Sequence, residues 1–152
     1  MKYLMVCLGN ICRTPIAVGI LRKKLADIGS SSEVDSCGFE PHHIGDSADT
    51  RALTVMTENG IDISDHRAKL FHPDNFKNFD LILAMDKFIL DDIKRMAKSE
   101  DDLKKVDLLL NVQYPGMNCE VPDPYYGDTD GFHKTFDIID KALDVLIEKY
   151  EK

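Results

Sequence analysis

The chain has 152 residues, 43% hydrophobic and 30% charged, which is enough to bury a core without disulfide staples. Its 19 basic and 27 acidic residues give a formal charge of −8 with no basic block, which argues against nucleic acid as a partner. No apolar run approaches a membrane span, and Gly9, Asn10 and Arg13 interrupt the N-terminal stretch too early for a secretory signal. A cytoplasmic protein with no membrane partner is therefore expected. The four cysteines, Cys7, Cys12, Cys37 and Cys119, form no CxxC pair, which argues against zinc ligation and, in a reducing compartment, for thiols.

The predicted elements alternate without repeat or linker, so residues 1–152 read as a single domain. Residues 2–7 predict a buried strand. Residues 15–28 predict a helix with Ala17, Ile20, Leu21, Leu25 and Ile28 largely on one side. Residues 33–38 suit a short strand. Residues 48–59 suit a helix, with Asp46 or Ser47 before it and Gly60 as a stop. FDLILAMD at 79–86 is the clearest buried strand, and the helix predicted over 87–98 places Ile89, Ile93 and Met96 on one face. KVDLLL at 105–110 predicts a fourth strand. The last helix, 131–150, is the most regular: Phe132, Phe136, Ile139, Leu143, Leu146 and Tyr150 step by four and three. This alternation predicts an α/β fold, a doubly wound four-stranded parallel sheet with helices on both faces.

In such sheets ligands bind outside the carboxyl ends of the strands, at the switch point in strand order. The first strand runs into CLGNICRTP, residues 7–15. Gly9 and Asn10 are the residue types that most readily accept left-handed backbone angles, and Thr14-Pro15 suits a helix N-cap followed by N1. A turn of this kind forms a nest of N–H groups beside a helix N-terminus, a setting for a tetrahedral oxyanion such as phosphate. Two other loops are candidates for the same edge: GFEPHHIGDS at 38–47, and 111–130, which contains EVPDPYYGDTD. At twenty residues the second is longer than a compact domain usually carries without a function.

A cysteine on such a nest has its thiolate stabilised by the N–H groups and the helix dipole. An arginine in the same loop donates paired hydrogen bonds to phosphate oxygens. Cys7 is accordingly the candidate nucleophile, Arg13 the clamp, and Leu8, Gly9, Asn10, Ile11, Cys12 and Arg13 the phosphate-binding loop. The leaving group needs an acid, and Asp123, stiffened by Pro122 and Pro124, is the candidate. Tyr125 and Tyr126 supply an aromatic wall. Alone, a Cys-x5-Arg spacing is a weak signal; it gains weight from the strand before it, the glycine inside it and the capped helix after it.

VCLGNICRTPIA resembles the phosphate-binding loop of the low-molecular-weight protein tyrosine phosphatases, and VPDPYYGD resembles their general-acid loop. GIDISDHRAKLF at 60–71 is similar to the family's middle segment, and DLILAMD to its central strand. The resemblance implies a phosphatase that forms a phosphocysteine, with Cys7 as nucleophile, Arg13 as phosphate binder and Asp123 as proton donor, and needs no metal or cofactor. It implies a supporting network: Asn10 holds its strained backbone through Ser36 and His66, and Thr14 directs its hydroxyl to Cys7. The expected substrate is a phosphotyrosine protein or small aryl phosphate, and a monomer is expected. Paired loop cysteines in the family are associated with reversible oxidation, so the resemblance also implies redox regulation.

Three positions depart from the family pattern. Threonine stands at 14 where serine is usual, Val18 stands where glutamate is common, and His42 stands near a usual aromatic position. His42 is therefore a candidate for the substrate wall, although two adjacent histidines alone do not make a metal site. Arsenate reduction on the same fold needs further cysteines after the third strand, and residues 80–100 contain none. Protein-arginine phosphatases resemble this loop but carry threonine where Ile11 stands and lack the tyrosine pair, so Ile11, Tyr125 and Tyr126 favour an aromatic phosphoester.

Overall fold

The computed structural model describes residues 1–152. Four strands, β1 (Lys2–Val6), β2 (Glu33–Cys37), β3 (Leu81–Ala84) and β4 (Val106–Leu108), form one sheet in the order β2-β1-β3-β4. All pairings are parallel, and their register sets Val6 beside both Cys37 and Ala84, and Ala84 beside Leu108. All four strands therefore finish at one edge. The chain leaves the central β1 for β2 on one side and returns to β3 on the other, so the order reverses at the end of β1, where α/β sheets bind ligands.

Alternation along the strands divides the core. Tyr3, Met5 and Leu83 pack with α1 (Arg13–Asp27), α2 (Thr50–Glu58) and α6 (Thr129–Tyr150). Leu4, Val6, Ile82 and Ala84 pack with α4 (Lys87–Met96) and with Phe76 from the four-residue α3 (Asn75–Asn78). Tyr3 to Val6 are each 0% exposed, which is why β1 is a continuous apolar run and does not alternate with polar residues. Phe132 of α6 is likewise fully buried, a placement that stabilises the helix–sheet layer by roughly 1.5–3 kcal/mol. Gly19 lets α1 pack closely, because a Cβ there would lie 2.6 Å from Met56 Cε and 2.7 Å from Ile63 Cγ2 and would push both side chains aside.

Several boundaries differ from the sequence expectations, each for a local reason. Helix α1 begins at Arg13 with Cys12 as N-cap, so Thr14 and Pro15 lie inside its first turn and Thr14 does not cap it. Its hydroxyl is turned to Cys7 instead. Ile28, expected on the apolar face, is the C-cap and is 43% exposed. The departure at Val18 is a packing substitution: the side chain is 6% exposed. KVDLLL pairs only over Val106–Leu108, after which Leu109–Asn111 tighten into a 3-10 turn. Helix α3 and the five-residue α5 (Glu100–Lys104) escaped the sequence reading because neither spans two turns, too little for apolar periodicity.

Candidate active site

Residues 7–12 curl between the end of β1 and the start of α1, and three outer segments hold the curl by its carbonyls. Leu8 O accepts from Phe39 N at 2.8 Å and Glu40 N at 3.1 Å, Asn10 O faces His66 Nε2 at 2.6 Å, and Ile11 O accepts from Asp49 N at 2.8 Å. By contrast, the backbone N–H groups of Leu8, Gly9, Ile11, Cys12 and Arg13 donate to no protein acceptor. A loop with engaged carbonyls and free N–H groups at a helix N-terminus is an anion nest. Of the two residues expected in left-handed backbone, only Asn10 adopts it, at φ 57°. Gly9 does not; a Cβ there would sit 3.3 Å from His43 Cδ2.

The strained Asn10 is held from every side. Its Nδ2 donates to Thr14 Oγ1 at 2.8 Å and to Ser36 Oγ at 2.9 Å, and its Oδ1 accepts from Lys69 N at 2.9 Å. Asn10 is 1% exposed, and both amide hydrogens and the amide oxygen have partners. Beneath it, a Cβ on Gly38 would lie 2.7 Å from Leu8 O, so that position must be glycine for the loop to close. Burial pushes the His66 pKa below the usual histidine value, against the contact with Asn10 O. His66 is therefore neutral at neutral pH, and the carbonyl acceptor selects the Nε2–H tautomer.

At the floor lies Cys7, 3% exposed. Asn10 N donates to its Sγ at 3.2 Å, and Thr14 Oγ1 stands 3.2 Å away. Since Thr14 Oγ1 already accepts from Asn10, its own proton is free to point at the sulfur. Thr14, Ser36 and His66 thus all contact Cys7 or Asn10, as does the Lys69 N–H.

Arg13 is 3% exposed, and its guanidinium is anchored on one side. Nη1 donates to Asp86 Oδ2 at 2.8 Å and to Val121 O at 3.0 Å. Burial works against this charge, but the neighbouring Cys7, Asp123 and Asp86 outweigh it and hold the Arg13 pKa above the usual arginine value. Asp86 was not singled out from sequence. Its second oxygen accepts from Ile89 N at 2.9 Å and caps α4, so one carboxylate joins the β3 end, the α4 start and the clamp. Such caps are worth about 1 kcal/mol. An aspartate ending an apolar strand directly before a predicted helix was the available signal.

Asp123 completes the rim. Its Oδ1 accepts from Tyr125 N at 3.0 Å, and its Oδ2 lies 3.6 Å from Arg13 Nη2. The acid loop is braced by Arg51, another residue missed from sequence. Arg51 donates from Nη2 to Tyr125 O at 2.9 Å and from Nη1 to Gly127 O at 3.0 Å. Its other face is held by the Asp49 carboxylate, and the guanidinium sits 4.5 Å from the Phe132 ring centroid. Cys7 to Arg13, Asp123, Tyr125, Tyr126 and His42 all line one cleft of about 210 Å³, joined by Glu40 and His43. Tyr126 is 92% exposed, with its ring edge-on to that of Tyr125 at 4.9 Å.

A buried thiol and guanidinium on one anion nest, with a carboxylic acid at the rim, define a cysteine-dependent phosphatase built on a parallel α/β sheet. Residues 2–152 match the family described as low molecular weight phosphotyrosine protein phosphatase. The chain is 41% identical over 134 residues to the low molecular weight phosphotyrosine protein phosphatase of Schizosaccharomyces pombe, covering 86% of this chain and 85% of that one. A crystal structure of protein tyrosine phosphatase from Entamoeba histolytica, with Hepes in the active site, superposes with a TM-score of 0.92 at 35% identity, covering 99% and 97% of the two chains. A Drosophila arginine phosphatase superposes with the same TM-score of 0.92 at 26% identity, covering 100% and 99%. The chain belongs to the low molecular weight phosphotyrosine protein phosphatase family, whose members are cysteine-dependent, metal-independent enzymes.

Proposed function

We propose that this phosphatase acts on phosphotyrosine in proteins and on small aryl phosphates, with Cys7 as nucleophile, Arg13 as clamp and Asp123 as acid and then base. The observation that carries the reading is the setting of Cys7 Sγ, 3.2 Å from both Asn10 N and Thr14 Oγ1, on the floor of a cleft that also holds Arg13 and Asp123. In the first step the sulfur bonds to phosphorus as the phosphorus–oxygen bond to the aryl group breaks, and protonated Asp123 gives its proton to the departing oxygen. The free N–H groups of the loop and the Arg13 Nε/Nη2 edge receive the phosphoryl oxygens. In the second step water attacks phosphorus, Asp123 takes the water's proton, and the phosphorus–sulfur bond breaks to restore the thiolate.

The backbone of the arginine phosphatase fits equally well, so substrate class rests on the lining. Ile11, Tyr125 and Tyr126 present apolar and aromatic surface to the cleft, which suits a phenyl ester better than a guanidinium. The test is hydrolysis of a leaving-group series without added metal, with arsenate plus thiol as the control. Asp123→Asn is expected to cost about a hundredfold with poor leaving groups and much less with acidic phenols. Equal losses across the series would make Asp123 a turn residue only.

The reading extends to the setting of the enzyme. No helix is long and apolar enough to cross a membrane, and all four cysteines are free, in keeping with a cytoplasmic protein. Both helical layers pack on one sheet, which supports residues 1–152 acting as one domain; we take it to act as a monomer. Redox control would run through Cys12, which is 5% exposed on the same loop as Cys7. Burial, with the nearby Asp49 and Cys7, pushes the Cys12 thiol pKa up, so it waits as a neutral thiol. Peroxide converts Cys7 to a sulfenic acid, and Cys12 displaces water from it to form a disulfide that a dithiol reduces. Cys12→Ser should retain most activity yet recover poorly after peroxide. Recovery equal to wild type, or a mass-mapped link from Cys7 to Cys37 or Cys119, would refute this role.

A further inference from the structure

We propose that Glu40, His42 and His43 form a zinc site at the mouth of the phosphate cleft, and that zinc held there inhibits hydrolysis. One donor atom from each residue lies within 4.8 Å of the other two. His42 Nε2 is 2.9 Å, and His43 Nε2 3.7 Å, from the same carboxylate oxygen, Glu40 Oε2. A tetrahedral ion with bonds of about 2.0–2.1 Å keeps its ligand atoms roughly 3.3 Å apart, so these two separations bracket what zinc needs. The imidazole centroids are 4.2 Å apart. Two imidazoles and one carboxylate are a donor set that suits zinc, whereas calcium and magnesium prefer oxygen alone. The histidine pair by itself did not make a site in the sequence; the third donor is Glu40, brought in by the short turn Pro41–His43.

His43 supplies an independent observation. Its Nδ1 lies 3.1 Å from Asp46 Oδ2, and a carboxylate that accepts from Nδ1–H leaves the Nε2 lone pair free to ligate. Zinc-bound histidines commonly have such a backing carboxylate. The same ring rests on Gly9 of the phosphate loop, and the side chain is only 17% exposed. Glu40 is tied to that loop as well, because its N–H donates to Leu8 O. Two of the three ligands are therefore preorganised, and His42, 68% exposed, is the adaptable one. On binding, zinc replaces the close contact between His42 Nε2 and Glu40 Oε2 with coordination of both groups.

All three ligands line the cleft that contains Cys7, Arg13 and Asp123, so an ion among them occupies part of the entrance a substrate must use. Inhibition rests on the phosphatase reading above, but binding does not, and the two are measured separately. Zinc alone is titrated calorimetrically into Cys7→Ser, which removes the catalytic sulfur as a competing ligand. One-to-one saturable binding is expected, weakened at least tenfold by adding Glu40→Gln or His42→Ala, and roughly tenfold by adding Asp46→Asn. No saturable binding at millimolar zinc, or binding unchanged by Glu40→Gln and His42→Ala, would overturn the site. With Cys7 intact, zinc should inhibit aryl phosphate hydrolysis reversibly, with a chelator restoring turnover. Asp46→Asn should keep the metal-free rate and raise the half-inhibitory zinc concentration by the same factor as its loss of affinity. Inhibition indifferent to that substitution would overturn the inhibitory role.

Discussion

Cys7→Ser is expected to fold as the wild type does and to lose turnover by roughly a thousandfold or more. Serine is close in size, and Thr14 Oγ1 and Asn10 N remain to hydrogen-bond it, so the packing beneath the loop changes little. What is lost is the sulfur nucleophile. On the proposed reading Cys7 Sγ is the attacking atom, and a serine hydroxyl is a much poorer nucleophile toward phosphorus in the same surroundings. Circular dichroism and thermal unfolding report the fold, and steady-state hydrolysis of an aryl phosphate reports the loss. Acid-quenched wild-type enzyme should carry phosphate on the Cys7 sulfur. Phosphate on a histidine or an aspartate would remove Cys7 from the mechanism, whatever the variant's rate.

Arg13→Lys should lower turnover by roughly 10²–10³-fold and weaken the binding of phosphate and vanadate. The guanidinium divides its work: Nη1 is tied to Asp86 Oδ2 and Val121 O, while Nε and Nη2, the latter 3.6 Å from Asp123 Oδ2, form the edge that on the proposed reading meets the phosphoryl group. An ammonium keeps the charge beside Asp86 but cannot hold that anchor and also present a planar pair of donors. Lysine is the informative substitution. Alanine would leave a cavity beneath the loop and strip the part-buried Asp86 carboxylate of its partner, so lost stability would mask the catalytic effect. Near-normal turnover with lysine would place the clamp elsewhere. The two variants also differ in kind: Cys7→Ser should still bind phosphate analogues, whereas Arg13→Lys should bind them poorly.

What the sequence by itself determined follows from contiguity. The loop from Cys7 to Arg13 is one uninterrupted stretch, so its glycine, its asparagine and its cysteine–arginine spacing were readable as an anion nest without knowledge of any neighbour. The strand and helix order was readable for the same reason, because apolar periodicity is a local property; helices shorter than two turns, such as Asn75–Asn78 and Glu100–Lys104, fell below it. Asp123 was within reach because its flanking prolines and tyrosines mark the loop chemically. The groups that hold these residues in place were not. Arg13 meets Asp86 across 73 positions and Val121 across 108, and Asn10 meets the Lys69 N–H across 59. Asp49 and Arg51 fell inside the helix expected over 48–59 with Asp46 or Ser47 before it, yet Asp49 is the N-cap and Arg51 braces the acid loop 74 residues on at Tyr125. Gly38 carries no local signal at all, since it is the approach of Leu8 O and of Asn10 that forbids a side chain there. These contacts exist because the parallel register brings the ends of β1, β2 and β3 to one edge. That convergence is a consequence of sheet pairing over long separations, and no single segment of the chain encodes it.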